Sequence, residues 1–104
     1  MQDPIATHPT LSTLLERLLA HRPALAARYH VKTLSLFGSY VRQEQTAESD
    51  LDVLVEFDDP PSRFEFIRLE QALSDLLGVK VDLVMKDALK PEIGKHVLRE
   101  AVPV

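Results

Sequence analysis

Apolar residues enter the chain at helical spacing. Leu11, Leu14, Leu15, Leu18 and Leu19 fall at i, i+3, i+4, i+7 and i+8, one face of a helix that Thr10 is placed to cap. Pro23 suits the first turn of a second short helix running to Tyr29. The pattern then changes to alternation. Val31 to Phe37 reads as a strand, with Leu34 and Leu36 on one face and Val31, Ser35 and Phe37 on the other. Ser39 to Gln43 reads as a short helical turn and Gln45 to Ser49 as a polar loop. Asp50 to Phe57 is a second strand, with Leu51, Val53 and Val55 on one face and Asp50 and Asp52 on the opposite one. Asp58-Asp59-Pro60-Pro61 ends it. A long helix from Pro61 or Ser62 to Gly78 carries the stripe Phe66, Leu69, Leu73, Leu76 and Leu77, with Arg63, Glu70 and Asp75 placed for solvent. Val79 to Met85 is a third strand. Pro91 opens a last helix with Ile93, Val97 and Ala101 on one side.

The connections set the topology. A short link between the first two strands favours an antiparallel pair. The strand–helix–strand unit that follows favours a parallel, right-handed crossover. The expected fold is therefore α/β, a small mixed three-stranded sheet covered by helices, in one domain over residues 1–104, with 1–9 as a loose arm. In an antiparallel pair the end of the first strand lies beside the start of the second. Gly38-Ser39 would then converge with Asp50 and Asp52, and the parallel register could bring Asp82 alongside them.

Composition narrows the classes. With 45% hydrophobic and 27% charged residues the chain is ordinary for a soluble domain. A net charge of −4 argues against a nucleic-acid-binding surface. There is no cysteine, which excludes disulfides and thiolate metal sites. Met1-Gln2-Asp3-Pro4 lacks a basic targeting segment, and no apolar run reaches membrane-spanning length, so no membrane association and a cytoplasmic location are expected. The four histidines, His8, His21, His30 and His96, show no metal-ligand spacing and read as surface residues.

The chemistry is concentrated in two stretches. Carboxylates on adjacent same-side strand positions repel, and a divalent cation offsets that repulsion; hard oxygen ligands favour Mg²⁺. Asp82, isolated in Val81-Asp82-Leu83-Val84, is a residue type depleted in strands and could be a third carboxylate bridging metal to an attacking hydroxyl. Gly38 allows a close backbone approach to a ligand, and Ser39 offers a hydroxyl and a helix-starting N–H. Arg42, one turn on, could contact phosphates or brace the loop. The bland roles are a turn cap for Asp50, solvent-facing positions for Asp52 and Asp82, an N-cap for Ser39 and an exposed salt bridge for Arg42. Glu56, Asp58 and Asp59 read as a solvated turn.

Assembled, these residues resemble the minimal nucleotidyltransferases, the MNT antitoxins of HEPN/MNT toxin–antitoxin pairs within the DNA polymerase beta-like superfamily. The pattern is Gly38-Ser39, ten residues, Asp50-Leu51-Asp52, then a later-strand Asp82. The likeness extends to Arg42 after the Gly-Ser turn, although Gln43 stands where glycine is usual, and to the closing Pro91-x-Ile93 helix. The resemblance implies a nucleotidyltransferase fold, Mg²⁺ held by Asp50, Asp52 and Asp82 as the catalytic set, and the triphosphate of ATP held at Gly38 and Ser39. It further implies transfer of AMP, with pyrophosphate leaving, to a tyrosine of a HEPN ribonuclease toxin.

Size points the same way. The three strands and their helices use nearly all 104 residues, so an acceptor must be presented by another molecule. The leading expectation is a Mg²⁺-dependent protein adenylyltransferase with a HEPN-type partner. A non-catalytic antitoxin acting by steric occlusion is the rival. A dimeric enzyme modifying a small molecule is a third reading.

Overall fold

The computed structural model describes residues 9–104, and the expected loose arm lies outside them except for Pro9. The chain runs α1 (Leu11–Tyr29), β1 (Val31–Phe37), α2 (Ser39–Arg42), β2 (Leu51–Phe57), α3 (Arg63–Leu77), β3 (Val81–Met85), a 3₁₀ turn (Lys86–Ala88), α4 (Pro91–Glu100) and β4 (Val102–Pro103). The strands form one mixed sheet in the order β3-β2-β1-β4, antiparallel between β2 and β1 and parallel between β2 and β3.

Thr10 caps α1 as expected, its hydroxyl accepting from the Thr13 N–H. Pro23 does not start a second helix. Leu14, Leu18 and Leu25 are all buried and lie on one continuous stripe, so α1 runs through the proline as a single helix. An interior proline costs roughly 3 kcal/mol, and burial of that stripe on both sides of it offsets the cost. The helix closes at His30, which takes the left-handed conformation at φ 60°. Leu19, at the edge of the expected stripe, is exposed.

Val31 also departs from simple alternation. The β1–β2 register slips between Val31 and Thr33, an extra residue that turns Val31 to the same buried side as Leu34 and Leu36. In β2 burial exceeds the expected alternation, because Leu54 on the Asp52 face is buried as well. Leu51, Val53 and Val55 are fully buried beneath α1 and α3, whose Leu14, Leu18, Leu69, Leu73 and Leu77 complete the core. Ser62 and Glu65 form a capping box at the start of α3, and Gly78 ends it at φ 74°. Glu70 does not simply face solvent: its Oε2 accepts from the Leu83 N–H at 2.9 Å, tying α3 to β3.

The sheet has a fourth strand. Val102 and Pro103 pair antiparallel with Leu36 and Ser35, and the Val104 N–H reaches the Leu34 carbonyl at 2.9 Å. Two residues, one a proline, carry no periodicity to read, and proline is tolerated only at an edge such as this. Ala101 therefore leaves the helix and becomes the link between α4 and β4. Val97 is buried while Ile93 is exposed, so only part of the expected stripe is used. Among the described residues no helix is long and apolar enough to cross a membrane.

Candidate active site

The antiparallel register opposes Phe37, the last residue of β1, to Asp52. The next residue, Gly38, is buried and has φ 83° and ψ −155°, a backbone region that side chains rarely adopt. A Cβ placed on Gly38 would overlap the Asp52 carboxylate. The corner after β1 and the acidic face of β2 therefore meet, as the expected topology requires. Beyond the corner, Ser39 and Tyr40 start α2, whose first N–H groups have no carbonyl one turn back to bond.

The parallel register places Asp82 beside Asp52, so these two carboxylates project from the same face of neighbouring strands. Asp50 lies before β2, not in it as expected, and lines a cleft separate from the Asp52 cavity with Tyr40, Ser49 and Lys80. Asp52 feels the charges around it. Partial burial, then the charge of Asp82, then that of Asp50 and, least, that of Glu100 push the Asp52 carboxyl up to about 6, and Arg42 only partly counters them. Burial first and Asp50 second also raise the Tyr40 phenol. Among the described residues no three carboxylate or imidazole groups stand close enough together to form a ready-made metal cage. Mg²⁺ does not need one: it keeps several waters and is commonly held by one or two carboxylates together with substrate phosphates. A half-buried carboxylate close to further carboxylates offers hard oxygen donors, which fit that ion.

Arg42 is held by acidic residues outside this cluster. Its Nε donates to Glu44 at 3.0 Å and its NH1 to Glu100 at 2.8 Å, so the expected salt bridge exists with two partners. Gln43 follows at φ 60°, the left-handed conformation that glycine adopts most easily. The turn thus keeps the backbone geometry associated with glycine despite the side chain. A cavity of about 420 Å³ is lined by Gly38, Arg42, Asp52, His96, Val97 and Glu100. Of these, Glu100 was not singled out by sequence reasoning, and His96, read as a surface residue, is exposed at the cavity's edge. Glu100 accepts the Gly38 N–H at 2.7 Å as well as the Arg42 guanidinium, across 62 and 58 residues of chain. The available signal was a carboxylate in the last turn of a helix, where the dipole disfavours it.

Comparison with known proteins converges on one family. Residues 18–104 match the nucleotidyltransferase domain. The chain is 50% identical over 95 residues to the protein adenylyltransferase MntA of Thermococcus cleftensis, covering 91% of this chain and 96% of that one. A solved structure described as a minimal nucleotidyltransferase superposes with a TM-score of 0.80 at 40% identity, over 95% of this chain and 100% of that one. A tri-AMPylated HEPN toxin of Shewanella oneidensis in complex with its MNT antitoxin matches with a TM-score of 0.58, over 84% of this chain and 70% of that one. At 21% identity that last likeness is one of fold.

Proposed function

The chain belongs to the nucleotidyltransferase domain family, and from that premise we propose that it is a Mg²⁺-dependent protein adenylyltransferase and an antitoxin. Its donor is ATP and its acceptor a tyrosine of a HEPN-type toxin. The observation that carries this reading is the meeting of Gly38 with Asp52 beside Asp82. It sets a corner suited to phosphate against a carboxylate face suited to cations. A relative with half its residues in common is named for the same reaction, which supports the choice of a protein acceptor.

In this reading Asp50, Asp52 and Asp82 hold Mg²⁺, which when bound neutralises phosphate charge and makes the acceptor hydroxyl easier to deprotonate. Gly38, Ser39 and Arg42 hold the triphosphate and point its α-phosphorus at the acidic face. The acceptor oxygen forms a bond to the α-phosphorus, and the bond from that phosphorus to the bridging β-oxygen breaks. Pyrophosphate leaves, and the hydroxyl proton passes to a carboxylate, with Asp82 the most exposed of the three and placed towards an incoming protein.

The test is incubation with α-labelled ATP, Mg²⁺ and the product of the adjacent gene. Label retained on the partner, mapped to a tyrosine by mass spectrometry, is the expected result. No label from a folded wild-type protein sinks the reading. Undiminished protection of the partner by Asp52→Asn would instead favour steric occlusion.

A further inference from the structure

Glu100 closes the site from the far end of the chain. Its two carboxylate oxygens take different partners: Oε2 accepts the Gly38 N–H at 2.7 Å, and Oε1 accepts Arg42 NH1 at 2.8 Å. Both bonds are charge-assisted and short, the stronger class of hydrogen bond. The carboxylate stands in the last turn of α4, at the negative end of the helix dipole, where a negative charge is unfavourable. It persists there because it has two partners and because the backbone on either side is pinned. Val97 is buried one turn before it, and Val102 is paired with Leu36 two residues after it.

The electrostatics of Arg42 give this bridge a purpose. Arg42 and Asp52 line one cavity, and Arg42 stabilises the charge on Asp52 through space while Glu100 weakly opposes it. A free guanidinium on a flexible stem would be drawn onto the Asp52 carboxylate and would sit where a divalent cation must bind. Glu44 and Glu100 together fix the guanidinium instead, one on Nε and one on NH1. The same Glu100 sets the Gly38 N–H and hence the corner that abuts Asp52.

We infer that Glu100 is a positioning residue for the nucleotide: it holds the Gly38 corner and the Arg42 guanidinium in the arrangement that receives the triphosphate, and keeps Arg42 off the carboxylate face. This rests on the nucleotidyltransferase reading of the site but not on the identity of the acceptor.

The experiment measures binding, with no transfer step. Calorimetry with Mg²⁺ and α,β-methylene-ATP is run on wild type, Glu100→Ala, Glu100→Gln, Arg42→Ala and the Arg42→Ala/Glu100→Ala double variant, with thermal melts to confirm folding. Glu100→Ala should weaken nucleotide binding about tenfold. Glu100→Gln, which retains an acceptor oxygen but not the charge, should weaken it about threefold and remains informative if the alanine variant does not fold. The double variant should bind more tightly than the two single losses multiplied together would give, because part of the Glu100 effect passes through Arg42 and only the part through the Gly38 N–H is left. Tighter binding by Glu100→Ala overturns the inference and makes Glu100 a competing anion. Unchanged binding, or fully additive losses, reduces it to a structural contact. Wild type that binds no nucleotide overturns the underlying reading of the site, a result distinct from all of these.

Discussion

Asp52 and Glu56 lie four residues apart on the same strand and the same face of the sheet, yet the fold treats them in opposite ways. Glu56 has partners: the Thr33 hydroxyl donates to it at 2.9 Å and Lys86 Nζ lies 3.6 Å away, so its carboxyl is held below the usual range. It is a braced strand residue, not part of a solvated turn. Asp52 has burial and three like charges, Asp82, Asp50 and Glu100, and its carboxyl is pushed up to about 6. A fold that can satisfy one carboxylate on this face and leaves the other crowded is paying stability for a position where a cation can bind.

The largest effect expected is on chemistry. Asp52→Asn should reduce AMP transfer roughly 10³-fold or more, through loss of a ligand the reaction requires. The same variant should melt no lower than wild type in EDTA at pH 7, because it removes a crowded charge. A matching loss of stability would mean Asp52 is a structural residue, and the contrast with Glu56 would fail. Glu56→Gln should leave transfer within about twofold of wild type.

Gly38→Ala comes next. Its new methyl meets the Asp52 carboxylate in a backbone region that disfavours side chains. A destabilisation of about 2 kcal/mol is expected from those two effects together. Denaturant melts of Gly38→Ala alone and with Asp52→Ala separate them. The shorter side chain should recover the steric part and leave the backbone part.

Much of this was legible before any coordinates. The alternation in Leu51 to Val55 put Asp52 opposite Leu51, Val53 and Val55, and a short link favoured the antiparallel pair that brings Gly38 to Asp52. What escaped reading shares a physical reason. Strand β4 is two residues long, and the slip at Val31 is a single extra residue; neither leaves a period in the sequence. Continuation of α1 through Pro23 was decided by Leu25 finding the same core as Leu18, a tertiary effect that local preference cannot report. Glu100 escaped because its partners are far away in sequence, and only the β4 pairing and the packing of Val97 set it against the corner.

The smallest expected effect gives the cleanest test of the comparison, since it turns on sign. Asp52 has a folded carboxyl at about 6 against an ordinary 3.8, so the native state holds its proton more tightly than the unfolded chain. Its contribution is a penalty that is complete above about pH 6 and fades as pH falls towards 4. Allowing for solvent screening of a half-exposed group, that penalty is about 1 kcal/mol. Glu56, with its carboxyl lowered, does the reverse: its stabilisation is present above the ordinary carboxylate range and is lost as pH falls through its depressed value. In metal-free protein, lowering the pH from 7 to 5 should therefore raise the melting temperature of wild type relative to Asp52→Asn, while Glu56→Gln should follow wild type over that window and diverge only below about pH 4.5. If wild type and Asp52→Asn run parallel from pH 7 to 5, Asp52 is not crowded in solution, and the physical argument for a cation at this face loses its support. Adding Mg²⁺ at pH 7 should narrow the gap between the two, because a bound cation relieves in wild type the same repulsion that the amide removes.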